Sequence, residues 1–194
     1  MDGFMKISSA DSRFFLERIG LLLAMVLFVS LGCGAFPDLD RHQAELAIPS
    51  SKVGLAIWWS LWGGCYAFWI CGGYALFLFR RTPQRLPSFL ILLAGQHVLM
   101  MVSKSLFHTT RPSQPYQVGG HAYPSGHTLL ATCLYGYLAT YCPAGSAFFW
   151  LLPGLVGWSR VALGHHWLRD VLGAALLGWV WLRCCIAWSS SSYR

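Results

Sequence analysis

Charge is what this chain has least of. Only 11% of its 194 residues are Asp, Glu, Lys or Arg, against roughly 25% in soluble domains. With 56% hydrophobic residues and ten tryptophans, that shortage excludes an ordinary water-soluble globule. Internal repeats are absent, and so is any stretch of soluble composition, so residues 1–194 read as one membrane-embedded domain. A patterned cysteine set is also missing. Cys33, Cys65, Cys71, Cys133, Cys142, Cys184 and Cys185 are odd in number and lie mostly in apolar runs. No spacing among them resembles a metal knuckle, so they read as small buried hydrophobes. The net charge of +7 does not imply nucleic acid, because the basic residues fall between apolar runs and not on one soluble face.

What is present is a series of uncharged runs near the roughly 20 residues that cross a bilayer. Ile19 to Phe36, ending at Pro37, is the first span; Ser30-Leu31-Gly32-Cys33 resembles a lipoprotein cleavage site, but the polar Ser30 argues for retention. Val53 to Phe79 and Leu86 to Ser103 are the second and third. No charge occurs from Thr128 to Ser159, but Cys142-Pro143-Ala144-Gly145-Ser146 reads as a turn. It separates a fourth span, His127–Tyr141, from a fifth, Ala147–Gly164; the sixth is Val171–Trp188, with Arg183 able to snorkel outward. The expected fold is all-α, a polytopic bundle of six transmembrane helices.

Counting Lys and Arg by side orients this layout. With the N-terminus inside, the inner face carries Lys6, Arg13, Arg18, Arg80, Arg81, Arg85, Arg183 and Arg194. The outer face carries Arg41, Lys52 and Arg169, once Lys104, Arg111 and Arg160 are set aside for a site. Both termini are expected to be cytoplasmic. Trp58, Trp59, Trp62 and Trp69 read as interfacial, lipid-facing aromatics.

Three segments concentrate the polar residues that a membrane helix avoids. Lys104 is followed by Arg111-Pro112; then comes Pro124-Ser125-Gly126-His127; then Ser159-Arg160, His166 and Asp170. In the six-span layout all three reach the outer side. Lys104, Arg111 and Arg160 suit a phosphoryl group, whose transfer needs positioning and charge stabilisation at three oxygens. Ser125 and Gly126 precede a helix, so their backbone N–H groups can face the same anion. Gly126 lacks the Cβ that would crowd that approach. His166 and Asp170 are four apart, one helical turn. Asp170 can then hold one ring nitrogen of His166 and leave the other to attack phosphorus, while His127 serves the leaving oxygen and then water.

These residues match, position for position, the three-part signature of the type 2 phosphatidic acid phosphatase family, which this chain resembles over roughly residues 100 to 172. That family shares its helical core with bacterial acid phosphatases and vanadium haloperoxidases. The resemblance implies His166 as nucleophile, Asp170 as its orienter, His127 as general acid and base, and no metal or other cofactor. The sequence agrees on the metal, because Asp170 is the one carboxylate near the motifs. His165 reads as a bystander, Gln96 and His97 as buried polar groups facing another helix, and Arg169 as a surface charge. His108 and His121, in the outer loop, have no fixed role. Asp11 to Arg18 reads as an amphipathic lead-in at the membrane surface.

The resemblance implies a lipid phosphate substrate, with undecaprenyl diphosphate, phosphatidylglycerophosphate and phosphatidic acid as candidates. The compact form resembles bacterial members, which implies an inner membrane location and a site facing the periplasm or exterior. Lipid phosphotransfer, lipid A dephosphorylation and vanadate-dependent halide oxidation are the alternatives that the shared core allows.

Overall fold

The computed structural model describes residues 9–41, 52–112 and 119–192, with side chains from Phe15 to Asp40 and to Ser190 in the outer segments. Lys6 and Arg194, and the side chains of Arg13 and Arg41, belong to the charge count but lie outside these limits. The described residues form eight α-helices and no strand: α1 Ser9–Gly32, α2 Asp38–Arg41, α3 Val53–Trp62, α4 Cys65–Arg81, α5 Leu86–Phe107, α6 Gly126–Tyr141, α7 Ser146–Ala162 and α8 Leu168–Ser192. The all-α expectation holds.

Local sequence sets most of these limits. Pro83 and Pro143 open the 3₁₀ turns that precede α5 and α7, since proline fits the first turn of a helix but not its interior. The Asp11–Arg18 lead-in is the first part of α1. Glu17 there pairs with Arg183 of α8, Arg183 Nε lying 2.9 Å from the carboxylate, and both side chains are exposed.

Four stretches are long and apolar enough to cross a membrane: Phe15–Gly32, Val53–Arg81, Pro83–Phe107 and Leu168–Ser190. The protein is an integral membrane protein with these four candidate spans, against six expected. The other two expected spans are α6 and α7, of 16 and 17 residues. At 1.5 Å per residue they reach about 24 to 26 Å, short of a hydrocarbon core of about 30 Å. The second stretch is also not one helix, because it breaks at Gly63-Gly64 between α3 and α4.

α6 is the axis of the bundle. From Thr128 to Ala139 all its residues but Leu130 are buried, with α5, α7 and α8 packed around it. Close packing depends on small residues, as it must where lipid supplies no hydrophobic drive between helices. A Cβ on Gly178 of α8 would lie 2.9 Å from Thr132 of α6, and one on Gly157 of α7 would lie 2.5 Å from Val171. The outer helices turn Leu22, Phe68, Trp69 and Leu106 outward.

Several expectations are corrected. Trp58 and Trp69 are exposed, but Trp59 and Trp62 pack against the core. Gln96 is buried, whereas His97 is exposed on α5. Only Cys133 and Cys185 are fully buried; Cys33, Cys65, Cys142 and Cys184 are exposed.

Candidate active site

The polar motifs meet at one end of the bundle, where α5 and α7 finish and α6 and α8 begin. α7 ends in a Schellman motif: the N–H of His165 donates to Arg160 O at 3.0 Å, and that of Gly164 to Val161 O at 2.8 Å. Gly164 takes the positive φ of 66° that this turn demands. The reversal carries the chain from Arg160 directly to His165 and His166.

His166 precedes α8, whose first residue is Leu168, so the expected pairing of two residues on one helix is corrected in detail. The contact is made by a cap. Asp170 Oδ2 accepts the backbone N–H of Trp167 at 2.8 Å, the return half of a capping box, and lies 3.3 Å from His166 Nδ1. The carboxylate is fully buried. The carboxylate favours a proton on Nδ1 of His166, which would leave the Nε2 lone pair to face Arg111; the ring also has a backbone hydrogen-bond partner at Ala122. Arg111 Nη1 lies 3.3 Å from that Nε2 and donates to His165 O at 2.8 Å, while Arg111 Nε donates to Gly120 O at 3.1 Å.

Lys104 Nζ donates to His121 O at 2.5 Å. Arg160, 7% exposed, donates from Nη1 to Ser60 Oγ at 2.6 Å. Its Nε is buried with no hydrogen-bond partner among the described residues. His127 begins α6 within electrostatic reach of Arg160, His166, His165 and Arg111. Its ring occupies the break between α3 and α4, where a Cβ on Gly64 would stand 2.9 Å from His127 Nε2. Lys104, Arg111, His127, Arg160, His166 and Asp170 are therefore brought together.

Burial holds the His166 imidazole well below its ordinary range, and the cations Arg111, Arg160 and Lys104 push it the same way. His165 is lowered by burial and then by Arg160 and Arg111. Its ring Nδ1 is buried without a hydrogen bond among the described residues, and its carbonyl is what anchors Arg111.

Ser125 and Gly126 are placed differently from expectation. The N–H of Ser125 donates to the backbone carbonyl of Asp170 at 3.0 Å, so it is committed to joining α6 to α8. The Ser125 hydroxyl accepts from Thr128 Oγ1 at 3.2 Å. A Cβ on Gly126 would meet Met100 Sδ at 2.6 Å, so this glycine serves helix packing against α5.

Sequence reasoning missed four contributors. Ser60 is the one serine or threonine in an uncharged run and was visible as a departure from it; Gly63-Gly64 lies in the same run, where nothing in the sequence sets it apart from Gly72-Gly73. Tyr123 is fully buried, donates to Phe28 O at 2.5 Å and packs on Gly173, so it pins the loop before α6 to α1 and α8. Asp40 of α2 lies 3.1 Å from Arg169 Nε, with both side chains largely buried. Arg169 is thus a paired residue and not a surface charge. Asp40 is raised by burial most, lowered by Arg169, and raised further by Asp170. Asp170 is therefore not the only carboxylate in the neighbourhood. His108 and His121 stack edge to face, ring centres 4.7 Å apart, at the rim.

The comparisons agree with this geometry. The chain is 31% identical over 119 residues to phosphatidylglycerophosphatase B of Bacillus subtilis (strain 168), covering 55% of this chain and 58% of that protein. It is 31% identical over 140 residues to an undecaprenyl-diphosphatase of Sulfolobus acidocaldarius, covering 66% of each. It thus spans less than two thirds of the length of either relative. In fold it is similar to the crystal structure of a transmembrane PAP2-type phosphatidylglycerolphosphate phosphatase from Bacillus subtilis, with a TM-score of 0.74, 20% identity and coverage of 88% of this chain and 96% of that one. LpxE of Aquifex aeolicus is a more distant fold relative, with a TM-score of 0.59, 20% identity and coverage of 79% and 91%. Residues 85–194, more than half of the chain and nearly all of the site, match the PAP2 superfamily, and the chain belongs to that family.

Proposed function

We propose that this protein is a metal-independent membrane phosphatase that hydrolyses a lipid phosphate or diphosphate through a phosphohistidine. The observation that carries the reading is the line Asp170 Oδ2, His166 Nδ1, His166 Nε2, Arg111 Nη1, with 3.3 Å at each outer step. The carboxylate orients the ring, and the guanidinium stands where a phosphoryl oxygen would be held.

In this mechanism Lys104, Arg111 and Arg160 hold the phosphoryl oxygens. His166 Nε2 forms a bond to phosphorus as the bond to the leaving oxygen breaks, and His127 gives that oxygen a proton. His127 then takes a proton from water as it attacks the phosphohistidine, releasing phosphate and restoring His166. Gly126 N–H at the start of α6 is a further donor, whereas Ser125 supports the site by holding Asp170. The relatives' names favour phosphatidylglycerophosphate and undecaprenyl diphosphate as substrates, with phosphatidic acid as a third.

We place α6 and α7 as the fourth and fifth of six membrane helices, the site at the outer face of a bacterial inner membrane and both termini inside. The segregation of charge supports this: Arg85 and Arg183 lie at one end, the site's cations at the other.

The test is phosphate release by purified protein in detergent with excess EDTA, across those three lipids. Wild type should turn over at least one and form an acid-labile phosphoenzyme. His166→Ala should abolish both, while His165→Ala, which keeps its carbonyl, should retain most activity. Equal loss in the two variants, or a strict need for a divalent cation, would sink the reading.

A further inference from the structure

One buried cation of the site rests on a residue that lies outside the family match. Arg160 Nη1 donates to Ser60 Oγ at 2.6 Å, and both side chains are buried. Ser60 belongs to α3, whereas the match covers residues 85–194. Among the described residues this is the one hydrogen bond of the Arg160 side chain, and no ion pair involves it. A guanidinium has five N–H donors, so most of its capacity is uncommitted, the buried Nε included.

The end of α3 is tied down on several sides. It packs along α7 and stops at Trp62, where Ser60 O accepts the Gly63 N–H at 3.1 Å. The carbonyl of Trp62 accepts the Tyr135 hydroxyl of α6 at 2.7 Å. A Cβ on Gly63 would lie 3.1 Å from His127 Cβ. One turn of α3 and the break after it therefore stand against both the cation on α7 and the imidazole on α6.

The anchors of the site's cations share one property. Lys104 is held by a backbone carbonyl, Arg111 by two, and Arg160 by a hydroxyl. All of these are neutral acceptors. Arg169 and Arg183, which belong to no phosphate contact in the mechanism above, are paired with carboxylates. Ser60 is the one side chain among the neutral anchors, so substitution can change it.

We propose that Ser60 is a positioning residue for the phosphoryl group, its hydroxyl fixing the Arg160 guanidinium without neutralising it. The inference rests on the phosphatase reading above. A carboxylate in that place could hold Arg160 more tightly, as a bidentate ion pair. It would also cancel the charge that an incoming anion meets, in a buried setting where charge acts most strongly. A hydroxyl takes one N–H, carries no charge and leaves the other donors preorganised for phosphoryl oxygens.

The test is calorimetric binding of inorganic phosphate to purified protein in detergent, beside kcat and KM for the lipid phosphate that wild type hydrolyses fastest. Ser60→Ala should weaken phosphate binding by roughly tenfold to a hundredfold, the worth of a hydrogen bond to a charged group, and raise KM in step. Ser60→Thr keeps the hydroxyl and should bind phosphate nearly as wild type does. Ser60→Asp should melt no lower than Ser60→Ala, because Arg160 regains a partner, yet bind phosphate more weakly still. A bond that served packing alone would not separate stability from binding in this way.

Unchanged phosphate binding in Ser60→Ala would overturn the proposal, and so would equal loss in Ser60→Thr. Phosphate binding in Ser60→Asp as tight as in wild type would reduce Ser60 to a packing contact. Should the aspartate variant fail to fold, the alanine and threonine variants decide alone. If wild type binds phosphate but releases it from no lipid, the phosphatase reading fails, and the binding series still decides the role of Ser60. If wild type binds no phosphate, Ser60 has no anion to position and the proposal falls.

Discussion

The two ends of the bundle treat positive charge in opposite ways. At one end Arg183 meets Glu17 with both side chains near 40% exposed, at 39% and 41%, and Arg85 lies 4.3 Å over the ring of Tyr141. At the other, Arg160 is nearly buried on a serine hydroxyl, and Lys104 and Arg111 are held by backbone carbonyls. Removing a cation from water costs several kcal/mol unless an anion faces it. Three cations there face one buried carboxylate, Asp170, while Asp40 is taken by Arg169. A fold that keeps such an excess in a membrane setting is arranged to receive an anion. The opposite end is arranged only to meet the interface.

The comparison breaks most completely at Asp170. Asp170→Asn keeps an oxygen that can accept the Trp167 N–H, so the start of α8 should survive. It removes the charge that sets the His166 tautomer and opposes the three cations. Turnover should fall by a factor on the order of 10³ to 10⁴, as when a buried orienting aspartate is lost from a catalytic triad. Circular dichroism and melting in detergent should change little. A variant that unfolds, or one that keeps a tenth of the wild-type rate, would reduce Asp170 to a structural cap.

A smaller effect is expected at Arg111, and pH reveals it. In the proposed mechanism His166 attacks as neutral imidazole, and burial and the cations hold it below the ordinary 6.5. The acid limb of kcat/KM set by His166 should therefore lie below that value. Arg111→Gln removes the largest of the cationic contributions, so the limb should move to higher pH while kcat/KM falls roughly 10²- to 10³-fold. The same shift has a stability sign. Below pH 6.5 the unfolded chain binds a proton that folded His166 refuses, so stability is full above that pH and drains as pH falls. An acid limb that stays in place in Arg111→Gln would remove Arg111 from the electrostatics of the nucleophile.

These contrasts also explain what could be read before the fold was known. Helix positions were legible because apolar runs end at charge or proline, as at Arg80-Arg81 and Pro143, although the first helix stops at Gly32, short of the expected Phe36. The site was legible as residue types at fixed spacing. Long-range steric and hydrogen-bond facts were not. Gly63-Gly64 passes for ordinary small residues in a span until His127 is seen against it. Ser125 N–H looks free at a helix start, but Asp170 O, from a distant stretch of chain, takes it. Asp40 reads as a loop carboxylate, and only the packing of α2 against α8 brings it to Arg169. Four of the six expected spans have the length that lipid demands, and α6 is shorter for a related reason. Hydropathy marks α6 as apolar, but its residues are buried against protein, and a helix in that place does not need the full length that lipid demands.

The smallest effect belongs to the opposite end. Arg183→Ala leaves Glu17 unpaired, but both groups are well exposed. A pair in that setting is worth about 0 to 1 kcal/mol, since water already screens each partner. Melting in detergent should shift by no more than that allows, and phosphate release should match wild type, because among the described residues no contact joins Arg183 to the candidate site. Loss should also shrink in high salt, as surface pairs do. A large loss of activity in Arg183→Ala would mean that the α1–α8 contact transmits to the catalytic end. The carrier would be Phe28, which is buried on α1 and accepts the Tyr123 hydroxyl through its carbonyl. The two ends would then be coupled, and the contrast between a working end and an anchoring end would have to be given up.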